Sequence, residues 1–138
     1  MPAKRMGLKR SFAAFGAELR NHRKTSSDIA KDGALVISLW TVFFKPPFDP
    51  GHPPRRYKDT LKRWKNPVGR EKAREHLQLA FKKNLPVRLV MAYPGDPDAL
   101  LAGEVVTGGN SWLLYKDVVG RVRSLKGDDF AIKFKPVR

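Results

Sequence analysis

The apolar residues near the N-terminus recur at helical spacing. Leu8, Phe12 and Phe15, followed by Leu19, would share one face of a short helix. Ser11 is a suitable N-cap for such a helix because its hydroxyl can accept a hydrogen bond from the first turn. The pattern therefore predicts one short amphipathic helix at this end of the chain, with an extended edge strand as the alternative.

Residues 26–44, SSDIAKDGALVISLWTVFF, have the pattern of a β-hairpin. Asp32-Gly33 favours the tight turn, which needs positive φ angles. The arm from 34 to 44 is apolar on both of its alternating faces, which predicts a central strand buried on both sides. The prolines between 46 and 54 then exclude regular structure.

The segment after the prolines combines an apolar stripe with many cations. Tyr57, Leu61 and Trp64 recur at i, i+4 and i+7, which predicts a short amphipathic helix. Asp59 is the single acidic residue from 55 to 65. We therefore expect the exposed side of this helix to be strongly basic.

A longer helix is predicted from the pair Asn66-Pro67, in which Asn66 caps the helix and Pro67 takes its first position. The helical pattern continues to about residue 84. The residues expected to be buried on this helix are Ala73, Leu77, Ala80 and Phe81.

The last third of the chain has the pattern of strands separated by turns. Strands are predicted at 87–93, 101–107, 111–125 and 129–134, the third being one bent strand or two. A hairpin, helices and then a meander predict an α+β domain with a curved, mainly antiparallel sheet and two or three helices. Such a sheet could form a small open barrel.

The charge of the chain indicates a class of binding partner. The 138 residues include 28 Lys and Arg against 13 Asp and Glu, a net charge of +15 and a pI near 10.5. Residues 1–24 carry a net +6 and residues 45–90 a net +9, whereas residues 91–138 carry only +1. Such clustering favours a polyanionic partner.

The composition also limits the class of protein. The length fits one domain, 11–138, preceded by a flexible basic arm, 1–10. Cysteine is absent, so disulfides and thiolate chemistry are excluded, and a cytoplasmic protein fits. Apolar runs stay well short of the ~18 residues that a membrane span needs, and we expect no membrane partner and no cofactor.

We therefore expect a nucleic-acid-binding protein, for DNA rather than RNA, that contacts phosphates through basic helical faces. Trp40 and Trp112 lie on predicted strands and could line a pocket for a base. The expected phosphate contacts are Arg55, Arg56, Lys58, Lys62, Arg63, Arg70 and Arg74.

Signals for an enzyme are weaker. Asp96, Asp98 and Glu104 make a thin set for a metal-dependent nuclease, and the three histidines fit no metal-binding spacing. A metal-independent ribonuclease or toxin stays an alternative, because cations on a sheet can stabilise a phosphorane. Its residues would be Arg121, Arg123, Tyr115 and Lys133. A protein partner is a further alternative, for an inhibitor in phage or host defence.

Two blocks of the sequence resemble known proteins. They are FGAELRNHRKTSSDIAKDGALVISLW (15–40) and WKNPVGREKAREHLQLAFKKNLPVRLVMA (64–92). They resemble small uncharacterised bacterial proteins in which an "LW" strand precedes a helix and a "VRLV" strand. The arrangement is also similar to PUA-like modules, including readers of modified DNA. That resemblance implies a curved sheet with helices and an aromatic-lined pocket. The matching blocks contain no catalytic signature, so no functional residues carry over.

Overall fold

The computed structural model describes residues 7–19, 25–49, 51, 53–103 and 109–137. Within these residues the chain forms one sheet of six strands, three α-helices and two short 3-10 turns. The helices are α1 (Leu8–Ala14), α2 (Pro67–Lys83) and α3 (Pro97–Leu101), and the 3-10 turns are Thr41–Phe43 and Leu61–Arg63. The strands are β1 (Ser27–Ile29), β2 (Leu35–Trp40), β3 (Arg56–Thr60), β4 (Val87–Tyr93), β5 (Ser111–Lys126) and β6 (Asp129–Pro136).

The spatial order of the strands is β1-β2-β4-β5-β6-β3. Only the pair β2–β4 is parallel, and the chain between these two strands includes β3 and α2. β1 and β3 lie at the two edges, so the sheet is not closed into a barrel. The predicted α+β class and mainly antiparallel sheet are confirmed. Among the described residues, no helix combines the length and the apolar composition that crossing a membrane requires.

Helices cover the two sides of the sheet unequally. Successive residues of β2 alternate between two cores, because Leu35 and Ile37 pack with α2 whereas Val36 packs with α1. The larger core lies under α2 and extends across the sheet to Tyr57 on β3. The smaller core joins α1 to β2, β4 and the first part of β5, including Leu114. The central position predicted for β2 is therefore confirmed.

The long strand β5 links the two halves of the sheet. It pairs with β4 from Ser111 to Gly120 and with β6 from Val118 to Lys126. Gly120 lies directly opposite Phe134, and a Cβ atom at Gly120 would lie 2.7 Å from the buried ring. The absence of that atom lets the ring pack on the strand. The second half of β5 thus joins β6 and β3 in a three-stranded region.

Asn66 and the helix after it follow the prediction closely. The side chain of Asn66 accepts hydrogen bonds from the backbone N–H groups of Val68 (2.9 Å) and Gly69 (3.3 Å). Ala73, Leu77 and Ala80 are buried as expected, but Phe81 is 45% exposed. Phe81 follows the buried stripe by one residue, which turns it about 100° away from the core.

The helix predicted over 57–64 is wrong, because Arg56–Thr60 forms β3 and Leu61–Arg63 forms a 3-10 turn. Tyr57 and Leu61 are both buried in the core under α2, one from the strand and one from the turn. Their helical spacing is therefore coincidental. The true signal was the alternation of exposed Arg56, buried Tyr57 and exposed Lys58.

Two other boundaries also differ from the prediction. α1 begins at Leu8, so the last residues of the expected basic arm are helical, while 1–6 lie outside the described residues. The Ser11 hydroxyl donates to the Gly7 carbonyl at 2.9 Å and does not cap the helix. The strand predicted over 101–107 starts at the last residue of α3, and 104–108 lie outside the described residues.

Candidate nucleic-acid interface

Three cations lie side by side across the open half of the sheet. Arg56 on β3 pairs in register with Lys133 on β6, and Lys133 pairs with Arg121 on β5. Directly paired residues project from the same side of a sheet, and neighbouring strands lie about 4.8 Å apart. The three side chains therefore form one continuous cationic row across three strands.

Further cations lie two residues away along the same strands. Lys58 follows Arg56 on β3, and Lys135 follows Lys133 on β6, so both project to the same side as the row. Arg123 is exposed beside them, at the irregularity in pairing between Val122 and Ser124. We call the surface formed by five of these residues the basic sheet face. Its members are Arg56, Lys58, Arg121, Lys133 and Lys135, all of which are exposed.

The basic sheet face lies opposite the side on which α2 packs. Its residues alternate with Tyr57, Val122, Ile132 and Phe134, which belong to the core under α2. The side of the sheet that carries these cations is also the side on which α1 packs, but α1 contacts β4 and the first part of β5. The charges consequently project into solvent.

The cations of the basic sheet face are not neutralised within the described part of the chain. None of the five forms an ion pair or a side-chain hydrogen bond with another described residue. Among the residues described, acidic residues border these rows only at their ends. Asp129 lies at one end, between Thr60 and Lys126, and Asp117 lies beyond Lys135 at the other, where its backbone carbonyl accepts a hydrogen bond from Val137. The surface therefore carries an uncompensated positive charge.

Arg63, which we expected to contact phosphates, is held within the fold. Its guanidinium donates two hydrogen bonds to the Asp59 carboxylate, and it stacks 3.9 Å above the centre of the Phe43 ring. The Asp59 side chain is only 2% exposed and also accepts a 2.8 Å hydrogen bond from the Tyr57 hydroxyl. Burial, with the negative charge of Asp59, raises the pKa of Tyr57 well above its ordinary value. This network fastens β3 to the turn after it.

The predicted cations near α2 surround a carboxylate. Arg74 donates to Asp128 at 2.5 Å and also pairs with Glu71. Its hydrogen bond lowers the pKa of Asp128, and the charges of Lys62 and Arg70 act in the same direction. Arg70 in addition donates to the backbone carbonyl of Trp64 at 3.1 Å. Arg74 and Arg70 are thus engaged within the protein, whereas the exposed Lys62 has no ion pair among the described residues.

The remaining predicted residues divide between the two ends of the sheet. Arg55, exposed like Arg56, immediately precedes β3.

Trp40 and Trp112 share a cross-strand row, one on each side of Ala92, and both are half-buried. They lie about 9.6 Å apart, at two strand spacings. Trp112 is nine residues before Arg121, which is roughly 25–30 Å along β5 at about 3.3 Å per residue. An aromatic pocket at this row stays a prediction, separate from the basic sheet face.

Some of the residues that a metal-independent ribonuclease would use lie close together in the structure. Arg121 and Lys133 are cross-strand neighbours, with Arg123 beside them. Tyr115 lies on the opposite side of the sheet, where its ring packs edge-on against Phe48 at 5.8 Å between centroids. The cations therefore lack the tyrosine on which that mechanism relied.

The acidic residues considered for a metal site serve the local fold. Asp96 caps α3 by accepting a 3.1 Å hydrogen bond from the Ala99 amide, and Asp98 lies in the first turn. Glu104 lies outside the described residues. In the described ranges, no three His, Asp or Glu side chains come together as metal ligands would.

A cleft of about 360 Å³ lies between α2 and β1. Inside it, the Ser27 hydroxyl and His76 Nδ1 are 2.8 Å apart. Burial lowers the pKa of His76, and so does the charge of Lys72, whereas Asp28 and Glu75 raise it. The net effect favours a neutral imidazole that ties the helix to the edge strand.

The pattern that marks the basic sheet face is visible in the sequence. Residues 120–123 read GRVR and residues 132–135 read IKFK, so cations alternate with core residues in both strands. The net charge of +1 for residues 91–138 hid this pattern, because six acidic residues in that range cancel most of its seven cations. The side of the sheet on which each charge lies identifies this surface better than the summed charge of the segment does.

No protein-family model, no curated protein and no solved structure matches this chain. The function must therefore be argued from the geometry of the molecule. The basic sheet face is the feature that carries most of that argument, because its charges are exposed, regular and uncompensated.

Proposed function

We propose that this protein binds nucleic acid, with DNA as its ligand, through the basic sheet face. The observation that carries the proposal is the row of Arg56, Lys133 and Arg121. Like charges directly opposite one another destabilise a sheet, so such a row has a cost in the free protein. A polyanion lying across the row would remove that cost.

Phosphate groups supply the matching charge. Each cation that neutralises a phosphate releases condensed counterions, which favours binding and makes it depend on salt. Five such contacts on duplex DNA would give a slope of log K against log[salt] of about −4.5, from about −0.9 per contact. The affinity would then fall about 500-fold between 50 and 200 mM salt.

A charge-matched pair of variants tests the proposal. One variant replaces Arg56, Arg121 and Lys133 by Gln. The control replaces three exposed lysines outside the basic sheet face, Lys31, Lys82 and Lys83, by Gln. Both variants lose three positive charges, so only the position of the change differs.

Binding to a fluorescently labelled DNA duplex is then measured by anisotropy at several salt concentrations. We expect the sheet variant to lose at least 100-fold in affinity at 0.1 M salt, since three contacts contribute about 2.7 log units there. The control should lose no more than a few-fold. Equal losses would assign binding to net charge alone, and undetectable binding of the unmodified protein at low salt would refute the proposed function.

A further inference from the structure

We propose that the ligand of the basic sheet face is a DNA double helix, held by its phosphates without reading of the base sequence. This inference rests on the function proposed above and narrows it to one class of ligand. Three observations carry it: the side chains on the face, the width of the face and the number of its charges.

Apart from Arg and Lys, which can contact guanine as well as phosphates, the face lacks the side chains with which proteins bind exposed bases. Apart from its five cations, the paired rows contain no aromatic residue, no Asn and no Gln among the residues that the structure describes. Proteins that bind single strands stack bases on aromatic rings, and Asn or Gln usually reads adenine. The other residues in these rows are Thr60, Val119, Ser124, Lys126, Asp129 and Ala131.

The width of the face argues against insertion into a groove. The major groove is about 12 Å wide and admits an α-helix or a two-stranded ribbon. The cationic row instead spans three strands, β5, β6 and β3, which continue into the rest of a six-stranded sheet. Such a surface is too broad to enter the groove and would rest on the phosphate backbones that border it.

The number of charges favours a duplex over a single strand. Along the strand direction, Lys135 lies two residues to one side of the cationic row and Lys58 lies two residues to the other side. The five charges therefore extend over about 13 Å in that direction. Over that length one strand presents about four phosphates, whereas both strands of a duplex present about eight. The five cations outnumber the roughly four phosphates of one strand, whereas the roughly eight phosphates of a duplex can pair with all of them.

The test compares four labelled ligands of equal length: two DNA duplexes of unrelated sequence, one of their separated strands, and an RNA duplex. We expect the two DNA duplexes to bind within about 3-fold of each other and the single strand at least 10-fold more weakly. The salt slope on DNA duplexes should flatten by about 0.9 in Lys133→Gln and stay unchanged in the control Lys82→Gln. Thermal melting of both variants confirms that they are folded.

The outcomes separate this inference from the proposed function. If none of the four ligands bound at low salt, both would fail. If the single strand bound as tightly as the duplexes, or if the two DNA sequences differed by more than 10-fold, nucleic-acid binding would stand and this inference would be overturned. Tighter binding of the RNA duplex would overturn the assignment to DNA.

Discussion

Replacing Lys133 by Glu should weaken DNA binding and at the same time stabilise the free protein. Lys133 lies directly opposite two cations, Arg56 on one side and Arg121 on the other. The substitution converts two like-charge pairs into two opposite-charge pairs. A gain in stability would show that Lys133 does not serve the folding of the free protein.

The size of the effect follows from the exposure of these residues. Cross-strand charge pairs contribute roughly 0.2–1 kcal/mol each, and exposed pairs lie toward the lower part of that range. Two converted pairs should therefore raise the free energy of unfolding by about 1 kcal/mol. For a domain of this size that corresponds to a rise in Tm of about 3–5 °C.

Lys135→Glu is the matched control. Lys135 is on the same strand and the same side, but its cross-strand partner on β5 is Val119. The same charge change there converts no directly opposed pair, so it should stabilise the fold much less. Urea denaturation at low salt measures both variants, with equal m values showing that the unfolded states are comparable.

Salt provides a second check on the same reasoning. At about 1 M salt the screening length is about 3 Å, shorter than the cross-strand spacing, so the advantage of Lys133→Glu should largely disappear. The reasoning would be refuted if Lys133→Glu destabilised the protein, if it matched Lys135→Glu, or if its effect persisted in high salt. Each result would mean that the three charges do not repel one another in the folded chain.

Two further predictions concern residues away from the basic sheet face. Asp59→Asn should lower the free energy of unfolding by about 3 kcal/mol in urea denaturation, because Arg63 loses the buried charge that balances it; a change under 1 kcal/mol would contradict the network. His76 has a lowered folded-state pKa, so its contribution to stability is complete above the ordinary value of 6.5 and is lost as pH falls toward the folded value. His76→Gln should therefore reduce the fall in Tm between pH 7 and pH 5. An unchanged pH profile would show that the pKa of His76 is the same in the folded and unfolded states.

The sequence predicts the fold where local signals and burial agree. The turn at Asp32-Gly33, the cap at Asn66 and the strand after α2 all have strong local chemistry, and all lie where we expected them. The prediction for residues 57–64 was wrong because the sequence fits both the helical period and the strand period. An i, i+4 spacing of Tyr57 and Leu61 matched a helix, while pairing with β6 makes it a strand.

The candidate site was harder to predict than the fold, because it depends on register. Arg56, Arg121 and Lys133 are far apart in the chain and become neighbours only through the pairing of β3, β6 and β5. Tyr115 and Arg121 both lie on β5, yet the irregular pairing along that strand places them on opposite sides. Spacing in sequence cannot report such a change of side.

Cations on a helix and cations on a strand differ in whether acids nearby in the sequence can reach them. This difference explains why the predicted phosphate contacts on α2 form side-chain bonds within the protein, whereas those on β3 form none in the part of the chain that the structure describes. In a helix, an acid three residues away can reach a cation, as Glu71 reaches Arg74 on α2. Arg74 is therefore neutralised partly within its own turn, whereas the exposed Lys62 has no ion pair among the described residues. On a strand the neighbours come from other strands, so local acids do not help. The cations of β3, β5 and β6 lie next to one another, and their charge stays uncompensated among the described residues.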